Sequence, residues 1–368
     1  MEIEETNQDL QLAPLYETSS SSESKLRKLR TIYKTQPEEN ILEQLETYKN
    51  STVLPRDFVN KLVQEFKFKP DKKFKNDQDD NVTNTNDQSA FFKFIEGRRF
   101  HNIEGVHYPF PNDDDECDRL HLQHFLNKHV WQNNFSSPIA HILKKSSTKV
   151  LDIGCGAGSW ILEMSTTYQD AKFIGLDITP HQPSKIKPNN LSFVQANALE
   201  GLPFNDNEFD FIFQRLLFSG YPESKWPFVV DEMVRVLKPG GYLELTEADP
   251  SIKQTGPAGT RLFAGKGGAD INACYKLQKY VTEQGNLENI KQEVKNMYHG
   301  KQNGRLGEVS IENTMCAMKN LKTQIMNIMQ VSSKEYDEII KIATEEIREL
   351  NSYYPMIRVY ASKKFETK

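Results

Sequence analysis

Between residues 149 and 249 the chain repeats one pattern. Short apolar runs alternate with stretches that carry helix signals. The runs are KVLDI (149–153), AKFIGLD (171–177), LSFVQA (191–196), FDFIFQ (209–214) and GYLELTEA (241–248). Residues 159–168 and 226–237 read as helices, with a proline-rich linker between the second and third runs. Strand, helix, strand at this pace predicts a parallel sheet joined by right-handed crossovers. The LKPGG stretch (237–241) reads as a helix stop. Pro239 cannot continue a helix, and Gly240 and Gly241 allow left-handed turn geometry.

The first run leads into VLDIGCGAGSW (150–160), where Gly154, Gly156 and Gly158 occupy alternate positions. A glycine-rich turn between a strand and a helix lets a ligand approach bare backbone. Two ligands compete for such a turn. A dinucleotide fingerprint wants glycines at relative positions 0, 2 and 5; here the third falls at 4, and Ser159 holds position 5. Nothing in the turn is basic. Asp152, just ahead of the glycines, would repel a pyrophosphate. It suits a ligand with an ammonium and a sulfonium, which S-adenosylmethionine carries. Asp177 ends the next strand, where a carboxylate can accept hydrogen bonds from ribose hydroxyls. The plainer alternative is a generic tight turn with the acids as helix caps.

Charge limits the partners. The 368 residues carry a net charge of −5 with a pI near 6.0, so no bulk electrostatic attraction draws the chain to nucleic acid or anionic membrane. Cys117, Cys155, Cys274 and Cys316 are scattered, with no CxxC pair and no His/Cys cluster at ligand spacing. No metal site is expected, and the thiols read as reduced in an intracellular protein. The chain opens on no signal-like segment and contains no apolar run of about 18 residues, so a soluble, cytoplasmic protein is expected.

Residues 1–88 differ in texture. SSSSES (19–24) and NDQDDNVTNTNDQS (76–89) bury too little apolar surface to offset ordering entropy. A mean hydropathy of −0.64 fits a solvated tail. The segment reads as a largely disordered extension with patchy helix, through which a protein partner can attach. Its KLRKLRTIYK run (25–34) carries five positive charges. That run is either a nuclear import or phosphate-contacting patch or the solvated face of a short helix. Residues 89–368 read as one domain. Beyond residue 249, helix is expected over 260–284, strand over 289–299, and helix where Ile311, Met315, Met318, Leu321, Ile325 and Ile328 recur. A second helix opens on the capping-box pattern of Ser332 and Glu335, and 357–363 reads as a last strand. The helices within 310–352 are expected as an insertion near the substrate mouth.

The whole motif set, VLDIGCGAGSW, IGLDI, LSFVQANALEGLPFNDNEFDFIFQRLLF and EMVRVLKPGGYLELTEAD, resembles the class I S-adenosylmethionine-dependent methyltransferases over about residues 149–249. GRRFHNIEGVHYPFPNDDDECDRLHLQH (97–124), NGRLGE (303–308) and the closing YASKK are similar to a fungal branch of that superfamily. The branch resembles trans-aconitate methyltransferases and methyltransferase-like regulators of secondary metabolism. The resemblance implies an α/β, Rossmann-like seven-stranded fold. It implies that Gly154, Gly156 and Gly158 line the methionine part of the cofactor, with Asp152 and Cys155 beside them. Asp177 and Ile178 would meet the ribose. Asn197 stands where many relatives have Asp beside the adenine, followed by Ala198. Gln214 and Arg215 would face the methyl group and the substrate. The acceptor implied is a small molecule, a carboxylic acid or secondary metabolite; the alternative is a protein methyltransferase or regulator in a nuclear complex.

Methyl transfer from a sulfonium asks mainly for orientation and exclusion of water. A base is needed only where the acceptor must lose a proton early. After the fourth run the chain reads QRLLFSGYP, without the Asn/Asp-Pro-Pro-aromatic pattern of amino-group methylation. No Pro-Cys dipeptide is present for a covalent cytosine mechanism. Three residues remain as substrate-side candidates. Tyr108 caps cofactor or acceptor, or is a core tyrosine. His124 is a general base or structural. Arg215 binds a substrate carboxylate or forms a plain salt bridge. Trp160 reads as helix packing.

Overall fold

The computed structural model describes residues 92–103, 106, 108–180, 182–183, 187–263 and 272–365. The N-terminal extension with its basic run lies outside the described residues. A hairpin of β1 (Phe92–Ile95) and β2 (Arg98–His101) turns through Glu96 and Gly97, both at positive φ. Helix α1 (Asp114–Trp131) follows, and Asp113 caps it by accepting from the Glu116 amide.

The main sheet has seven strands. Chain order brings β3 (Lys149–Ile153), α2 (Ser159–Thr167), β4 (Lys172–Asp177) and β5 (Leu191–Gln195). Then come β6 (Phe209–Arg215), α3 (Trp226–Val236), β7 (Leu237–Ala248), α4 (Pro257–Phe263) and α5 (Ala273–Glu283). The chain closes with β8 (Leu287–Tyr298), α6 (Gly304–Asn320), α7 (Lys322–Met329), α8 (Ser333–Glu349) and β9 (Tyr353–Lys363). Across the sheet the order is β5-β4-β3-β6-β7-β9-β8.

The five strands read from the repeat are parallel, as expected. The last strand is not. β9 runs antiparallel to both β7 and β8, because β8 and β9 pair as the two arms of one excursion that needs no crossover. The LKPGG stretch does stop the helix and feed the next strand, as read, but it lies within the strand rather than in a turn before it. The helix ends at Val236, and Leu237 already pairs with Phe209 in the sheet. Gly240, at φ +75°, sits within a register shift between Phe209 and Phe211. Ladder bonds on both sides of the Pro-Gly-Gly step make it a bulge rather than a turn.

Strand alternation divides the core. One face of the sheet carries Val150, Phe173, Phe211 and Phe213 against Trp160, Ile161 and Met164 of α2. The other carries Leu151, Ile153, Ile212 and Leu243 against Trp226, Val230 and Met233 of α3 and Leu277 of α5. Trp160 stacks on Phe213 with ring centres 3.9 Å apart and donates its indole N–H to the Asn134 carbonyl, which is the packing role expected of it.

The helix expected over 260–284 overlaps α4, which begins at Pro257, and contains α5, with 264–271 outside the described residues. The one expected across 311–328 breaks at Leu321 into α6 and α7. The capping box of Ser332 and Glu335 opens α8 as read, and Tyr336, Ile339, Ile340, Ala343 and Ile347 are all buried. These helices join β8 to β9, and α6 packs on α1. Asn313 donates to the Arg119 carbonyl, and Asn320 donates to Glu116, which is itself paired with Arg119.

Candidate functional site

A cavity opens at the carboxyl ends of β3, β4 and β6, where a doubly wound sheet leaves room for a ligand. The glycine turn forms its floor. Gly154, Gly156 and Gly158 all adopt left-handed φ, at +67°, +55° and +81°. The Gly154 and Cys155 amides donate to the Leu176 carbonyl at 2.7 and 3.1 Å, anchoring the turn to the next strand. A Cβ on Gly154 would lie 2.4 Å from Leu217 Cδ1, so the turn and the segment after β6 meet at van der Waals distance.

Asp152 lies beside this floor, only 3% exposed, and lines the cavity. Among the described residues no donor hydrogen-bonds its carboxylate. Burial pushes its pKa well up; the Arg215 guanidinium pulls the other way, and Asp177 adds to the rise. An unpaired buried acid of this kind calls for a cation.

Asp177 is a brace. Its Oδ2 accepts from the Gly156 amide at 2.8 Å, and its Oδ1 accepts from the Thr179 amide and hydroxyl, both at 3.0 Å. A carboxylate has about four acceptor positions, so roughly one is left for a ligand hydroxyl. The acid read as a ribose acceptor is thus also a structural tie between the glycine turn and the loop after β4. Gln182 Nε2 completes the tie by donating to the Gly156 carbonyl at 2.8 Å. Asn197 is similarly engaged. Its Oδ1 accepts from the Leu199 amide and its Nδ2 donates to Glu200, capping a short 3-10 turn, while its neighbour Ala198 lines the cavity. Cys155 and Ile178 also line it, and burial pushes the Cys155 thiol up.

On β6, alternation separates the two residues expected to face the methyl group. Arg215 lines the cavity. Gln214 is fully buried and does not; Tyr221 donates to its Oε1 at 3.1 Å, and its Nε2 has no acceptor among the described residues. Tyr108 forms part of the wall, half-buried, its ring tilted against Phe110. His124, 2% exposed, stands behind the wall. Its Nδ1 lies 3.2 Å from Arg215 Nη2 and its Nε2 2.7 Å from Glu163 Oε2, so neither nitrogen is open to a substrate proton and the general-base role is not supported by this geometry.

Two acids escaped the sequence reading. Glu163 is one. Glu247 is fully buried at the end of β7 and accepts from the Leu217 and Phe218 amides at 2.9 and 3.2 Å. It holds the segment that follows Leu216, itself at φ +58°. Burial pushes its pKa up to about 8. An acid inside the apolar run GYLELTEA was the available signal.

Residues 150–241 match the family described as a methyltransferase domain. This part of the chain is thus similar to a methyltransferase domain, and it lies on a Rossmann-like seven-stranded sheet. Methyltransferase pytC of Aspergillus terreus is 33% identical over 174 residues, 47% of this chain and 51% of that protein. Secondary metabolism regulator laeA of Coprinopsis cinerea is 30% identical over 156 residues, 42% of this chain and 38% of the regulator. N-methyltransferase verN of Clonostachys rogersoniana is 27% identical over 154 residues, 41% of this chain and 53% of that protein. The chain thus spans about half the length or less of these curated relatives. Among solved structures, Haemonchus contortus phosphoethanolamine N-methyltransferase 2 in complex with S-adenosyl-L-methionine aligns with a TM-score of 0.39 at 16% identity, covering 67% of this chain and 57% of that one. The donor set described above fits S-adenosylmethionine: bare backbone at the turn, and a buried acid that among the described residues has neither a hydrogen bond nor a salt bridge of its own. Among the described residues no helix is long and apolar enough to cross a membrane.

Proposed function

We propose that the chain is an S-adenosylmethionine-dependent methyltransferase whose acceptor is a small molecule, a carboxylic acid or a secondary metabolite. The observation that carries the cofactor is Asp152, a 3%-exposed carboxylate with no hydrogen-bond donor among the described residues, beside a left-handed glycine turn. When bound there, S-adenosylmethionine supplies a methyl group already activated on sulfur. The chain's own work is then to bind, orient and keep water out. Asp152 ionises against the ligand's ammonium. The glycine backbone admits the ligand's chain, and Asp177 keeps about one acceptor position for a ribose hydroxyl. Tyr108 and Leu217 line the same cavity.

The small-molecule acceptor is supported by the similarity to pytC and verN. A second reading, a protein methyltransferase or regulator acting in a nuclear complex, is supported by the similarity to laeA. The first reading fits a cytoplasmic protein, the second a nuclear one. Calorimetry tests the cofactor: S-adenosylmethionine and S-adenosylhomocysteine should bind and NAD should not, and Asp152→Ala should weaken both ligands by tenfold or more. Tight NAD binding with no heat from S-adenosylmethionine would overturn the reading. Incubation with methyl-labelled cofactor and a cell extract then separates the acceptors. Label in the low-molecular-weight fraction supports the first reading; label in protein supports the second.

A further inference from the structure

Among its described lining residues the cavity has one cation, Arg215, and four carboxylates, Asp113, Glu116, Asp152 and Asp177. Two of the acids have their own partners, Asp113 with Arg98 and Glu116 with Arg119. Among the described residues Arg215 forms no salt bridge. Its one side-chain hydrogen bond among them runs from Nη2 to His124 Nδ1 at 3.2 Å. A guanidinium only donates, so Nδ1 carries no proton, and the ring's single N–H is at Nε2. That N–H donates to Glu163 Oε2 at 2.7 Å. Glu163 is fixed in turn by Lys128 and by Asn134 Nδ2, which donates at 2.9 Å. The imidazole is therefore a neutral spacer with both nitrogens used, and burial, the largest influence on it, lowers its pKa. Protonation would set a ring N–H against the guanidinium donor.

Strand register puts Arg215 next to Asp152. Asp152 pairs with Phe213 across β3 and β6, and alternation carries the Arg215 side chain to the same face. Each of the two charges acts on the pKa of the other. An acid and a guanidinium side by side match an α-amino-acid group, whose ammonium and carboxylate sit on a single carbon. The unused donors of Arg215 offer the bidentate fork that a carboxylate takes. A phosphate dianion would meet Asp152 and Asp177 as well, so the carboxylate is the better match.

We propose that Glu163 and His124 are positioning residues that hold the Arg215 guanidinium beside Asp152, where it receives the carboxylate of an α-amino-acid group. The inference rests on the cofactor proposed above, whose methionine end is that group.

Calorimetry with S-adenosylhomocysteine and its decarboxylated analogue tests it, since only the first carries the carboxylate. Arg215→Gln should weaken S-adenosylhomocysteine at least tenfold and leave the analogue within about twofold. His124→Phe should give the same selective loss in smaller degree. His124→Gln, whose amide offers one acceptor and a donor, should restore affinity to within about threefold of wild type. Glu163→Leu removes the far anchor and should act like His124→Phe; it serves if the histidine variant does not fold, as judged by melting. A merely structural role for His124 would weaken both ligands alike. Equal weakening of both, or wild-type affinity for S-adenosylhomocysteine in folded Arg215→Gln, overturns the inference while leaving the cofactor reading intact. If the wild-type protein binds neither ligand, both fall together.

Discussion

Replacing Gly154 by Ala probes whether the glycine turn and the segment after β6 are one packed unit. Two costs arise, and they are separable. Gly154 has φ +67°, and a residue with a Cβ pays about 1–2 kcal/mol to hold that conformation. The new Cβ would also lie 2.4, 2.7 and 2.8 Å from Leu217 Cδ1, Cδ2 and Cγ. All three belong to one side chain, so Leu217 must swing off the core cluster it packs against. Losing part of that burial costs roughly 1–2 kcal/mol. Gly154→Ala should therefore destabilise the protein by about 2–4 kcal/mol. In a Leu217→Ala background the clash is gone and the backbone cost alone remains. The double-mutant cycle should then show a coupling of about 1–2 kcal/mol, measured by chemical denaturation on all four proteins. Additivity within about 0.5 kcal/mol would refute the packed-unit argument, because residues that do not touch add independently.

Asp177→Ala removes three hydrogen bonds that brace the turn, so the melting temperature without ligand should fall together with the affinity for S-adenosylhomocysteine; a drop in affinity alone would refute the bracing role. Glu247 has its pKa pushed up to about 8, against a usual 4.3 or so in an unfolded chain. The folded protein therefore holds a proton that the unfolded chain has lost, and this group's stabilisation is complete below about pH 4 and lost as pH rises through about 8. Glu247→Gln should flatten that part of the melting-temperature profile between pH 5 and 8.5; an unchanged slope would refute it. Arg358→Met leaves Glu244 buried opposite an apolar chain, and breaking such a pair costs about 3–5 kcal/mol. Adding Glu244→Gln should recover part of the loss, and an equal or larger loss in the double variant would count against the pairing.

Local order was legible in the chain because local backbone rules produce it. The alternation of apolar runs yields the five parallel strands, the Gly154–Gly158 spacing yields a left-handed turn at a strand end, and Ser332 with Glu335 yields a capping box. Each depends on residues within a few positions of one another. The lone acid at Asp152 could be read for the same reason, since strand position alone sets it at the mouth of the turn. Tertiary structure decided what distant segments do to each other. The antiparallel run of β9 follows from its pairing with β8 across three intervening helices. His124 lies 39 positions from Glu163 and 91 from Arg215, so no periodicity could reveal that its nitrogens are occupied. The engagement of Asp177 by Gly156, and of Glu247 by Leu217 and Phe218, likewise arises where loops from different strands converge. A carboxylate's chemistry depends on which donors reach it, and only the folded chain brings those donors within hydrogen-bonding distance.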